Sequence, residues 1–112
     1  MTTAADIRLV LTTLPSPAEA ERLATQLVDE GLAACVNIVP GLVSIYRWQD
    51  AVQRDAELLL VLKTTEAGYP GLEARLRELH PYQVPEILAL TPSAGLPAYL
   101  GWLATSLSIS DT

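Results

Sequence analysis

Two apolar, β-rich runs lie back to back in this chain and constrain its fold more than any other feature. The first extends from Ala33 to Tyr46 and is interrupted by Pro40-Gly41; the second extends from Gln53 to Thr64 and is densest at Leu58-Leu-Leu-Val-Leu62. Proline cannot donate to a strand ladder and glycine tolerates unusual φ, so the first run reads as one long strand kinked at a bulge rather than two strands. Trp48-Gln-Asp-Ala51 turns the chain between them. Both runs exceed the usual strand length of roughly five or six residues. Strands that overrun their own sheet need another edge to pair with, and an adjacent subunit supplies one.

The remaining elements fall into place around this hairpin. Ile7 to Thr13 is a largely buried strand. Ser16-Pro-Ala-Glu19 has capping-box spacing with proline at the first helical position, and Ala20, Leu23, Ala24, Leu27 and Val28 then lay down one apolar stripe that Gly31 terminates. Thr65 caps a second helix that runs through Leu79, although Gly68, Pro70 and Gly71 weaken its first turn. Ile87 to Thr91 is a strand, and Ala98 to Leu107 a terminal helix that packs through Tyr99, Leu100, Trp102, Leu103 and Leu107; Ser108 to Thr112 reads as a frayed end. The order strand, helix, strand, strand, helix, strand, helix is the α+β, ferredoxin-like split βαβ arrangement, here a single domain over residues 1–112. Right-handed crossovers place both main helices on one face. The second long strand is apolar on both sides, so the open face predicts an oligomer.

Composition narrows the function classes. Half of the 112 residues are hydrophobic, which leaves surplus apolar surface for a partner. The net charge is −6, and the seven basic residues are scattered, which excludes nucleic acid as the expected partner. No run reaches the length of a membrane span, and Met1 to Asp6 lacks a signal-peptide pattern, so a soluble cytoplasmic chain without membrane association is expected. The single Cys35 excludes an intrachain disulfide.

The stiffest segment is Leu79-His-Pro-Tyr-Gln-Val-Pro-Glu-Ile87, which holds the only histidine. Pro81 and Pro85 fix two φ angles and push His80 and Val84 toward extended geometry. Such a connector would hold the His80 imidazole and the Glu86 carboxylate in fixed relation, as a metal or ligand site needs. The alternative is that His80 satisfies carbonyls at a helix end. Cys35, between Ala34 and Val36, reads first as a small buried hydrophobe and second as a ligand. Asn37 inside an apolar strand calls for a hydrogen-bond partner, and Lys63 at a strand end for solvent or a ligand cleft. Tyr46, Trp48, Tyr82 and Trp102 are candidates for interface packing or for an aromatic pocket between subunits. No phosphate-binding glycine loop and no nucleophile-elbow spacing is present, so no enzymatic turnover is expected.

Taken together, Ala34-Cys-Val-Asn-Ile-Val-Pro-Gly-Leu-Val-Ser-Ile-Tyr-Arg-Trp48, Leu60-Val-Leu-Lys-Thr64, His80-Pro-Tyr-Gln-Val-Pro-Glu86 and Tyr99-Leu-Gly-Trp-Leu103 resemble the CutA divalent-cation tolerance family over nearly the whole chain. The resemblance implies a ferredoxin-like subunit in a tight homotrimer built through the long hairpin strands, with an architecture shared with the trimeric PII signalling proteins. It implies a part in the response to divalent metal, with copper as the metal bound. Carried over by motif, His80, Glu86 and Cys35 are the metal-site residues. The chain departs from some bacterial members at Thr12, where they have cysteine, and at Leu79, where they have a second histidine; both changes remove ligands. One cysteine and one histidine per chain fall short of a closed zinc site, so the expected site is weak, open or shared between subunits. Imidazole and thiolate favour copper. Two other readings stand beside this one: a PII-like module holding a small anionic metabolite or a protein partner in clefts between subunits, and a trimeric scaffold without a ligand.

Overall fold

A computed structural model describes residues 1–107; the expected frayed end, Ser108 to Thr112, lies outside the described residues. A short 3-10 turn at Ala4–Asp6 leads into β1 (Ile7–Leu14), α1 (Pro17–Asp29), β2 (Cys35–Trp48), β3 (Ala51–Thr65), α2 (Tyr69–Leu79), β4 (Leu88–Leu90) and α3 (Pro97–Thr105). The four strands form one antiparallel sheet in the order β2-β3-β1-β4, the expected split βαβ arrangement.

Strand alternation assigns the two faces. Val10 and Leu14 of β1 and Leu58, Leu60 and Leu62 of β3 point to one side, where Ala20, Leu23, Ala24 and Leu27 of α1 and Leu72 and Leu76 of α2 complete the main core. On the other side α3 covers only one end, through Leu100 and Leu103 against Ile7. Leu88 and Leu90 of β4 stay exposed on the edge strand. Thr12 Oγ1 and Thr64 Oγ1 are buried without a hydrogen-bond partner among the described residues. The open sheet face is thus half covered.

Local chemistry sets the helix ends. Ser16 caps α1 by accepting the Glu19 amide at 3.3 Å, with Pro17 in the first turn. At the other end Gly31 takes φ +73°. Its N–H donates to the Val28 carbonyl and that of Leu32 to Leu27, both at 3.0 Å, which is a Schellman stop. Val28 is exposed on a surface groove with Val36 and Ile38 instead of joining the buried stripe, because it sits where α1 overhangs the sheet edge. The second helix begins at Tyr69, later than the Thr65 cap implies. Thr65 Oγ1 accepts the Gly68 amide at 3.0 Å and so closes a preceding turn; Gly68, Pro70 and Gly71 delay the helix proper. A paired Arg75 and Glu30, 2.9 Å apart, ties α2 to the end of α1 and holds the Glu30 carboxyl down to about 2.

Pro40-Gly41 forms the expected bulge. Val39 pairs with Leu59 but Leu42 pairs with Glu57, so two residues of β2 oppose Leu58 alone, and Gly41 adopts φ +77°. The hairpin closes in a two-residue turn at Gln49 and Asp50, both left-handed, matching the twist of the strands it joins. Beyond the bulge the hairpin projects from the helix-backed sheet, and the subunit is 47 Å long against 27 and 22 Å across. Asn37 is exposed rather than buried and has no need of the internal partner its apolar neighbours suggested.

Candidate functional site

The bulge decides which side chains meet. An extra residue in β2 inverts its alternation: Cys35, Asn37 and Val39 point to the open side below the bulge, and Ser44, Tyr46 and Trp48 do so above it. β3 has no such interruption, so Asp55 and Glu57 stay in phase with Leu59 and Val61. One face of the projecting hairpin therefore carries Tyr46, Trp48, Asp55 and Glu57. The opposite face carries Arg47 and Arg54 with Val43, Ile45 and Val52.

The α2–β4 connector folds over the first of these faces. His80 ends α2 through its backbone N–H, which reaches Leu76 at 2.9 Å. Its ring turns away from the helix end. β1 makes its last pair with β4 at Leu11↔Leu88, and two residues on, His80 Nε2 lies 2.8 Å from the Thr13 carbonyl. The Tyr82 backbone N–H donates to His80 Nδ1 at 3.1 Å. A carbonyl only accepts and an amide N–H only donates, so the ring is the neutral Nε2–H tautomer. Burial holds its pKa below the ordinary histidine value, and only 7% of the residue is exposed. Both ring nitrogens are therefore committed within the fold, and the imidazole acts as a pin between β1 and the connector.

Fixed by that pin, Tyr82 sends its hydroxyl to Glu57 Oε2 at 2.5 Å, and across the hairpin Tyr46 donates to Asp55 Oδ2 at 2.5 Å. Burial and the Glu57 carboxylate raise the Tyr82 pKa; the bond to Asp55 raises that of Tyr46. Both phenols stay protonated donors. The two pairs, with Trp48, Val84 and Glu86, line a cleft of about 840 Å³. Among the described residues no lysine, arginine or histidine lines it.

The three residues singled out from the sequence are not gathered in one place. Glu86 lines the cleft and is exposed. His80 lies behind the cleft wall. Cys35 pairs with Lys63, which pairs with Leu9, four residues along β1 from the Thr13 carbonyl that His80 holds; at a strand rise of about 3.3 Å per residue that is roughly 13 Å. Cys35 Sγ is 4.0 Å from Lys63 Nζ, which sits 5.8 Å above the Tyr99 ring. Among the described residues no three His, Cys, Asp or Glu side chains converge on a point where they could hold a metal ion. Of the four aromatic residues singled out from the sequence, Tyr46, Trp48 and Tyr82 meet in the cleft, whereas Trp102 stacks on Tyr99 with ring centroids 5.6 Å apart. Asp55 and Glu57 were not singled out from the sequence; a glutamate at the head of the Leu58–Leu62 run was the available signal.

Comparison with known proteins places this geometry in context. The family model described as CutA1 divalent ion tolerance protein matches residues 8–106. A "Divalent-cation tolerance protein CutA" of Thermus thermophilus is 57% identical over 95 residues, covering 85% of this chain and 92% of that protein. A rice "Protein CutA 1, chloroplastic" is 45% identical over 98 residues, or 88% of this chain and 55% of the relative, so the chain spans about half that relative's length. The solved structure of CutA from Synechococcus elongatus superposes with a TM-score of 0.90 at 47% identity, covering 96% of this chain and 95% of that one.

Proposed function

The chain belongs to the CutA1 divalent ion tolerance protein family, and from that premise we propose that it serves in divalent-cation tolerance as a cytoplasmic homotrimer that engages copper weakly and performs no catalysis. The names of its relatives support the tolerance role. Support for the assembly comes from the hairpin, which carries Ile45 and Val52 at 69% and 67% exposure on strands that overrun the sheet. The observation that carries cation engagement is the carboxylate-lined cleft, where Glu86 at the rim and Glu57 within offer oxygen donors with no basic residue beside them. Dispersed carboxylates attract divalent ions without caging them, and copper prefers nitrogen and sulfur. His80 would reach a metal only by giving up Thr13 or Tyr82, and Cys35 stands outside the cleft.

Native mass spectrometry with Cu(II) in a weak competing chelator tests this reading. The expected result is a trimer that retains copper, loses it in Glu86→Ala and keeps it in His80→Ala. A trimer that stays metal-free would overturn the copper assignment, and a monomer would overturn the assembly.

A second reading has its own observation. A cleft of about 840 Å³ is far larger than an ion requires and falls within the range of small-molecule pockets, about 300–1,000 Å³. It suits a PII-like module that holds a small ligand. Within this cleft a phosphate or carboxylate would face three carboxylates, whereas the anionic metabolite expected from the sequence belongs to clefts between subunits.

A further inference from the structure

We infer that the cleft between the hairpin and the α2–β4 connector binds an organic cation: a protonated or quaternary amine joined to a short apolar body. The inference rests on the small-ligand reading and names the class of ligand.

Glu57 carries the argument. It is only 7% exposed, yet none of the ion pairs among the described residues involves it, Asp55 or Glu86. A buried carboxylate is stable when paired or fully hydrogen-bonded. Glu57 receives one such bond, from the Tyr82 hydroxyl to Oε2. Asp55 likewise receives one, from Tyr46 to Oδ2. No described residue donates to the second oxygen of either carboxylate, and both line the same cavity. The fold supplies two oriented anions and leaves one acceptor on each for a guest.

The walls say what kind of guest. Tyr46, Trp48 and Tyr82 present aromatic surface, and Val84 extends it with aliphatic surface. Aromatic faces attract cations through the ring quadrupole, and such contacts strengthen when water is excluded. The nearest arginines on the hairpin, Arg47 and Arg54, alternate onto its opposite face and so cannot neutralise the carboxylates from within. A bare divalent ion has little use for aromatic walls, and among the described residues no three carboxylates converge to cage one, so the cleft engages such an ion only weakly. An ammonium group matches both halves of the lining, with its charge between Asp55 and Glu57 and its alkyl groups against the rings.

Isothermal titration of the full-length chain with choline, with its neutral isostere 3,3-dimethyl-1-butanol and with ATP separates the outcomes. Choline is expected to bind, the isostere to bind at least roughly tenfold more weakly, and ATP not at all. Glu57→Gln keeps an acceptor for Tyr82 and removes the charge, and it should weaken choline by a similar factor. Trp48→Ala, at an exposed position, checks the aromatic wall without touching the core. Equal affinity for choline and the isostere would overturn the inference while preserving the small-ligand reading. Binding of ATP alone would overturn it in favour of an anion. Silence across the panel, with copper still retained in the native mass spectrum, would overturn both the inference and the small-ligand reading and leave the metal reading standing.

Discussion

Between Cys35 and Trp48 one strand passes through two environments. Below the bulge, β2 lies against a sheet that α1 and α2 cover, and its partner β3 contributes Leu58, Leu60 and Leu62 to the main core. Above the bulge the same two strands carry Val43, Ile45 and Val52 into solvent. Along β2 the composition hardly changes, so in that strand hydrophobicity alone does not separate the backed half from the projecting one, although β3 does pass from Gln53-Arg-Asp-Ala-Glu57 to Leu58-Leu-Leu-Val-Leu62. Backing by helices distinguishes them. The lower half stabilises the fold; the upper half leaves its apolar area exposed.

Three variants would break or sharpen that contrast. Leu60 is fully buried, and Leu60→Ala should cost about 2–5 kcal/mol in urea unfolding, by lost transfer energy plus the cavity left behind. A loss below about 1 kcal/mol would mean that the lower half is not the packed core described. At the junction of the two halves, His80→Ala strands the Thr13 carbonyl and the Tyr82 amide, at about 1–3 kcal/mol. Its pH signature is specific. The folded-state pKa lies below the unfolded value, so the contribution of His80 is complete above about pH 6.5 and declines as pH falls through the depressed folded value. Unfolding measured between pH 7 and 5 should show that slope in the native chain and a shallower one in the variant. The smallest effect on the fold is expected from Ile45→Glu with Val52→Glu: within about 0.5 kcal/mol for the isolated subunit and an unchanged far-ultraviolet spectrum. Sedimentation should nevertheless show the proposed trimer dissolved. An intact oligomer would place the interface elsewhere.

The sequence disclosed most of the fold because its signals were local. Pro40-Gly41 announced the bulge, Gly31 the end of α1 and the Leu58–Leu62 run the central strand. Where signals competed, the boundaries moved. Thr65 capped a turn ahead of α2, and β4 shortened to Leu88–Leu90. The candidate site was only half legible. Glu86, Tyr82, Tyr46 and Trp48 were visible as residues, but their company with Asp55 and Glu57 depends on which way β2 faces after the bulge. That is a property of pairing, which residue types do not encode. The role of His80 was hidden for a similar reason: its two partners are the backbones of Thr13 and Tyr82, and backbone groups look alike in any sequence.

Gly41 has a consequence for how such a chain can change over generations. In genetic language it is an insertion that the bulge absorbs without shifting the frame of the hairpin. Substitution alters one letter of a face, whereas losing this one residue would erase the bulge and set Pro40 opposite Leu58, with Tyr46 and Trp48 still paired on the face of Asp55 and Glu57. Gains or losses beyond it are tolerable in matched pairs, two residues on each strand, because only those keep the frame. Relatives that diverge in hairpin length should do so by even steps on each strand, and a lineage that lost Gly41 alone would straighten β2 while keeping Tyr46 and Trp48 on the face of Asp55 and Glu57.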